Sequence, residues 1–259
     1  MTASPLAVRT DGPVRRLTID RAERRNALND ELIVALTAAI EAAGADPALR
    51  AVVLTGTGEK AFCAGADLKT DAGTFAFDPA ATTSAYATLL RAATECTVPL
   101  VARVNGHCLA GGMGLLAVCD LAVAADTARF GLPEVKVGMF AMQVIAPLRD
   151  LIAPRALREL ALTGEPIDAA AAQAIGLVNR VVAPADLDAE VDRLLGTIVD
   201  KSPTAQRRGK FAMRAVNHMT AEQALDYMQA QLVSLSLTED AREGLGAFNE
   251  KREPVWPGR

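Results

Sequence analysis

The spacing of apolar positions changes along the chain, and the change divides it. Two short alternating runs, LAVRT at 6–10 and VRRLTID at 14–20, flank Asp11, Gly12 and Pro13 and predict a hairpin. NALNDELIVALTAAIEAAGADP at 26–47 has helical spacing, with Asn29 or Asp30 as N-cap and a stop near Gly44. Apolar runs follow at 51–56 (AVVLTG), 99–105 (PLVARVN), 120–126 (DLAVAAD) and 177–182 (LVNRVV), and such runs suit buried strands. Helices are expected at about 82–96 and over GGMGLLAVC at 111–119. The stretch from Lys69 to about Pro79 has no period and carries Gly, Asp and Pro, which predicts a mobile loop. Strands alternating with helices to about residue 182 predict an α/β core.

Beyond Pro184 the strand pattern ends. Helices are predicted at about 186–200, 203–218, 220–236 and 238–250, with Thr220 and Gln223 forming a capping box. The expected division is an α/β core over 1–200 and a helical region over 201–259. A chain of 259 residues, 51% hydrophobic, can bury a sizeable core. Its formal charge of −4 supplies no basic field, so nucleic acid is not an expected partner. No run reaches the ~18 apolar residues of a membrane span, and the first residues lack a signal-peptide core. A cytoplasmic protein without a membrane partner is expected. The four cysteines (Cys63, Cys96, Cys108 and Cys119) stand singly, with no C-x-x-C pair and no histidine at metal spacing. They read as reduced thiols, and no metal site is expected.

Candidate chemistry centres on NGHCLAGGMGLLAVCD at 105–120, which holds Gly106, Gly111, Gly112 and Gly114. Glycine weakens a helix, so these positions mark a close approach to the backbone. GMGLLA at 112–117 fits G-x-G-x-x-A, but about ten residues to the next strand make a poor βαβ crossover, and no acidic ribose ligand follows at the right distance. A second reading uses the free N–H groups of a helix start to hold an oxygen that gains negative charge. A second donor would come from KAFCAGADLK at 60–69, where Gly65 and two alanines precede another helix-like start. For either loop alone, ordinary tight packing is the better explanation of the small residues; the two loops together favour the oxyanion reading.

Five segments resemble the enoyl-CoA hydratase/isomerase (crotonase) superfamily. They are LTIDRAERRNALN, AVVLTGTGEKAFCAGADLK, the long run VPLVARVNGHCLAGGMGLLAVCDLAVAADTARFGLPEVKVG, LTGEPIDAAAAQAIGLVNRVV and TEDAREGLGAFNEKR. They occur in the family's order and span about residues 6–253. The resemblance implies a spiral of ββα repeats forming two roughly perpendicular sheets, and C-terminal helices that build a homotrimer or a dimer of trimers. It also implies an acyl-CoA substrate whose thioester enolate is stabilised, with no cofactor besides the CoA of the substrate.

Carried over position by position, the oxyanion-hole amides are those of Ala66 and Gly111. The backbone of Arg25, Ala27, Leu28, Ala64, Asp67 and Leu68 matches adenine and pantetheine contacts. Lys60 stands at a phosphate-partner position, and Phe248 and Lys251 match residues that a neighbouring subunit lends. Lone lysines commonly face water instead. Gly112 is expected to let a backbone pass close by, beside the CoA ester. Glu134 in FGLPEVKVG matches the catalytic glutamate, and Phe130, Leu132, Val135 and Val137 offer an apolar surround that would raise its pKa. The other reading pairs it with Arg129 or Lys136.

One position departs from the hydratase pattern. Hydratases of the family carry a second glutamate three residues after the oxyanion glycine, and Gly114 stands there. The resemblance then favours double-bond isomerisation by one glutamate, with one-glutamate hydration and a non-catalytic CoA-ester-binding protein as alternatives. A polar side chain from another segment beside Gly114 would weaken that preference. MFAMQV at 139–144 replaces a glycine-rich run, so Met139 and Met142 are expected to fill the acyl pocket. His107 and His218 read as packing or surface residues, and Cys63 as a small filler.

Overall fold

The computed structural model describes residues 4–67 and 80–259. Leu68 and the expected loop at 69–79 lie outside the described residues. The order is β1 (Leu6–Asp11), β2 (Val14–Ile19), α1 (Asp30–Ala45), β3 (Ala51–Gly56), β4 (Ala61–Cys63), α2 (Ala85–Glu95), β5 (Leu100–Val104), β6 (His107–Leu109) and α3 (Gly111–Ala117). It continues through β7 (Leu121–Ala125), β8 (Arg129–Gly131), α4 (Met142–Leu148), α5 (Pro154–Thr163), β9 (Ile167–Asp168), α6 (Ala169–Ala174) and β10 (Arg180–Val182). Four helices close the chain: α7 (Leu187–Val199), α8 (Pro203–Val216), α9 (Ala221–Ser236) and α10 (Glu239–Glu250).

The strands make two sheets. The larger has the order β1-β2-β3-β5-β7-β10, parallel throughout except for the β1/β2 hairpin. The smaller has the order β4-β6-β8-β9, with β4, β6 and β8 parallel and β9 antiparallel at its edge. From β3 to β8 the chain gives one strand to the large sheet, then one to the small sheet, three times over. This is the ββα repeat of the crotonase fold.

Burial explains the strand pattern. Every residue of β3 is buried, as befits a strand covered on both faces, whereas the edge strand β1 buries Leu6 alone. One apolar cluster joins α1, α2, α3 and both sheets. A second, built from Val53, Val101, Val123, Leu187, Val191 and Leu195, sits under α7.

The strands of the large sheet lie where the apolar runs predicted them. Those of the small sheet, at 61–63, 107–109, 129–131 and 167–168, were not expected, because two or three residues show no period. Helices α4, α5 and α6 were likewise not foreseen. The Thr220/Gln223 capping box is present in both directions. Helix α8 docks on the core through Lys210, which pairs with Asp120 at 2.6 Å, and Arg207, which donates to the Asp46 and Leu49 carbonyls. Among the described residues, no helix is long and apolar enough to cross a membrane, and no cluster of three potential metal ligands occurs.

Candidate active site

Three neighbouring parallel strands of the small sheet deliver the candidate residues at their carboxyl ends. Ala66 follows β4, Gly111 follows β6 and Glu134 follows β8. Loops beyond the carboxyl ends of parallel strands are where α/β proteins place their ligands.

The first loop is held in an extended bridge. Leu28 N–H donates to the Gly65 carbonyl at 2.7 Å, and Asp67 N–H donates to the Leu28 carbonyl at 2.8 Å. In such a parallel bridge the intervening residue turns its own amide away, so Ala66 N–H points away from Leu28. The expected helix-like start is therefore not reached at Ala66, and the chain from Leu68 onward to residue 79 lies outside the described residues.

The second loop closes on the first without side chains between them. Gly65 has φ +89°, and a Cβ there would stand 2.5 Å from Ala110 Cβ and 3.0 Å from Gly111 N. Ala110 also has a positive φ, of 50°, held by its N–H bond to the Gly131 carbonyl at 2.9 Å. Gly111 then begins α3, and the first amides of a helix have no intrahelical acceptor. A Cβ on Gly112 would fall 2.3 Å from the Cys63 carbonyl, and Gly112 is buried. The close approach at Gly112 is thus that of strand β4.

The CoA-contact segments lie side by side. Arg25 and Asn26 take left-handed conformations, Ala64 N–H donates to the Arg25 carbonyl at 3.1 Å, and Arg21 pairs with Asp67 at 2.8 Å. Arg21 also donates to the Ala27 carbonyl. Asn26 is wholly buried and donates to the Ala61 and Thr57 carbonyls, fastening this turn to β4. Lys60 is exposed, and its carbonyl accepts from His107 N–H. Phe248, 81% exposed, and Lys251 sit at the end of α10, which packs chiefly on α8 and α9 rather than on the loops at 64–67 and 110–111.

Glu134 stands in a 3-10 turn, Pro133–Val137, after the fully buried Phe130 and Leu132. Its Oε2 is buried without a hydrogen-bond partner among the described residues. Burial raises its carboxyl above the ordinary value, against a smaller opposing backbone hydrogen bond. Lys136 pairs with Glu165 and Arg129 with Asp168, so neither takes Glu134. The apolar surround is smaller than expected, because Val137 is 64% exposed.

The expected place of the two methionines is corrected here. Met139 and Met142 are exposed, and α4 turns Val144 and Leu148 inward instead, so the methionines fill no pocket within this chain. His107 and His218 are exposed. Cys63 is fully buried, and burial pushes its thiol up to about 12, as suits a filler. A groove of about 1010 Å³ between α2, α4 and α8 includes none of Ala66, Gly111 and Glu134.

Sequence reading missed Tyr86. This residue of α2 brings its hydroxyl to the Gly111 carbonyl at 2.6 Å, and to 2.1 Å from the place where a Cβ on Gly114 would stand. A polar group from another segment does, then, occupy the ground beside Gly114. No local signal in the sequence joins positions 86 and 114.

Comparison with known proteins agrees with this architecture. The enoyl-CoA hydratase/isomerase family model matches residues 9–259. A probable enoyl-CoA hydratase of Mycobacterium bovis is 37% identical over the whole of both chains. A carnitinyl-CoA dehydratase of Salmonella enteritidis is 35% identical over 96% of this chain and 97% of its own. The crystal structure of an enoyl-CoA hydratase from Bacillus anthracis superposes with a TM-score of 0.91 at 30% identity, covering 98% of this chain and all of the other. With sequence and fold both matched from end to end, the chain belongs to the enoyl-CoA hydratase/isomerase family.

Proposed function

We propose that this protein moves a double bond in an acyl-CoA thioester. The amides of Ala66 and Gly111 hold the thioester oxygen as it gains charge. Glu134 takes a proton from the α-carbon of a 3-enoyl-CoA and returns it at the γ-carbon, leaving the 2-enoyl-CoA. A preorganised oxyanion donor is commonly worth ~10²–10³ in rate. A base with a raised pKa suits the abstraction, since it can both take and return the proton near neutral pH. The observation that carries this reading is Glu134: its Oε2 is buried without a hydrogen-bond partner among the described residues, while glycine stands at 114.

The CoA part is assigned to the backbone of Arg25, Ala27, Leu28, Ala64 and Asp67, with Leu68 continuing the segment and Lys60 near a phosphate. Phe248 and Lys251 are assigned to a neighbouring copy's site. The helical region 201–259 is assigned to a homotrimer or dimer of trimers, and its exposed Leu225, Leu232, Leu237 and Leu245 support association. The substrate's CoA serves without a further cofactor or metal. A cytoplasmic location is supported by four unpaired thiols.

Hydration of a 2-enoyl-CoA is the second reading. It is favoured by the names of the relatives, hydratase and dehydratase, and by the Tyr86 hydroxyl beside Gly114. Separate assays with 3-enoyl-CoA and 2-enoyl-CoA decide between the two. Fast conversion of the first without hydration of the second is expected, and the reverse overturns isomerisation. CoA esters that bind but are never turned over would point to a non-catalytic binding protein.

A further inference from the structure

Tyr86 has no part in the proton transfer assigned to Glu134, yet it is fixed against the loop that carries Gly111. Ser84 caps α2 by accepting from Ala87 N–H at 3.1 Å, and also accepts from Gln143 Nε2 of α4 at 2.7 Å. The helix start is thus anchored two residues before Tyr86. The tyrosine ring packs against the main apolar cluster, and its hydroxyl donates to the Gly111 carbonyl. Burial raises the phenol well above its ordinary value, and Cys63, Cys108 and Glu134 add to the rise in that order. The hydroxyl stays neutral, with its proton committed to that carbonyl.

Gly111 most needs such a partner. Lacking a side chain, it has a wider choice of backbone conformation than any residue with a Cβ. Ala110 is tied to Gly131 on one side, and the Tyr86 hydroxyl ties the Gly111 carbonyl on the other. The same hydroxyl would be 2.1 Å from a Cβ at position 114, while its ring carbon Cζ would be 3.2 Å away. The ring alone would need to give by only a few tenths of an ångström, but the oxygen leaves no room.

We infer that Tyr86 is the positioning residue of this site: its hydroxyl sets the first turn of α3, and with it the Gly111 amide, while closing position 114 to any side chain. This rests on the reading of Ala66, Gly111 and Glu134 as enolate-forming machinery. It does not depend on whether isomerisation or hydration follows.

The test measures exchange of the α-protons of a saturated acyl-CoA with deuterated water, a reaction that needs the base and the oxyanion donors and nothing later. Four chains are compared: wild type, Tyr86→Phe, Gly114→Ala and the double variant. Losing one hydrogen bond that orients the donor should lower kcat in Tyr86→Phe by about fivefold to tenfold. KM should stay within about twofold, and the melting temperature within a few degrees. Gly114→Ala should lose both stability and exchange, and adding Tyr86→Phe should restore part of both. Wild-type kcat in Tyr86→Phe, a loss expressed in KM alone, or a double variant no better than Gly114→Ala would overturn the inference. The reading beneath it fails separately, if exchange persists in Glu134→Gln or is absent from the wild type. In the latter case, failure of Tyr86→Phe to restore the stability of Gly114→Ala overturns the inference, and restoration upholds its closure of position 114.

Discussion

Gly65 and Ala110 meet so closely that a Cβ on the glycine would stand 2.5 Å from the alanine's. The contact brings the loop after β4 against the loop after β6, and nothing larger than hydrogen fits between them. Gly65→Ala therefore meets two obstacles, a crowded contact and a φ of +89°. Each costs about 1–3 kcal/mol. The variant should lose roughly 2–6 kcal/mol in urea denaturation, with a parallel fall in acyl-CoA turnover. An alanine variant as stable as the parent would mean that the two loops are free to separate.

The Arg21–Asp67 pair supports the same region from behind, with side chains 13% and 6% exposed. Breaking a buried pair strands one charge away from water, which typically costs about 3–5 kcal/mol. Asp67→Ala should lose about that much stability. It should also weaken CoA binding by calorimetry, because Arg21 holds the turn at 25–28 against 64–67. The double variant Arg21→Ala/Asp67→Ala should cost less than the sum of the singles. Additive costs would show that the pair is not coupled.

What the sequence made legible depended on how each feature is built. Strand β3 and helix α1 are long enough to show a period or an unbroken apolar run, and both lie where that pattern placed them. Strands β4, β6 and β8 have three residues each, and their central residues Phe62, Cys108 and Phe130 are buried by elements distant in sequence. Periodicity cannot report such strands. The amides of Ala66 and Gly111 leave no side-chain trace: the small residues marked the two loops, and the motif resemblance singled out the two amides. Met142 misled because an apolar side chain does not reveal what covers it. Tyr86 and Gly114 lie 28 positions apart, and only the fold brings them together.

At the far end of the chain, Asp240 is buried and accepts from Ser202 Oγ at 2.6 Å, Gly258 N–H at 2.7 Å and Thr204 N–H at 3.2 Å. Burial works against its charge, but these hydrogen bonds outweigh it and hold the carboxyl below its ordinary range. A depressed pKa contributes stability above the unfolded value, near 3.9, that disappears as pH falls through the folded value. Melting temperature should therefore drop between about pH 5 and pH 2, more steeply in the wild type than in Asp240→Asn. Equal slopes would remove Asp240 from the account of acid sensitivity.

Glu134 has the opposite sign, because burial raises its carboxyl in the folded state. Its protonated form suits the fold, so its contribution is complete below the unfolded carboxylate value and lost as pH rises through the folded one. Activity runs the other way, since proton abstraction needs the ionised form. The kcat/KM for a 3-enoyl-CoA should climb with pH along a limb displaced above the usual glutamate range. Glu134→Gln should abolish that limb and lower turnover by about 10²–10⁴-fold. Its melting temperature should also lose the downward slope that the wild type shows over the same pH interval. A limb that persists in the glutamine variant would assign the proton transfer to another group, and the unpartnered carboxylate would then be a cost to the fold without a catalytic return.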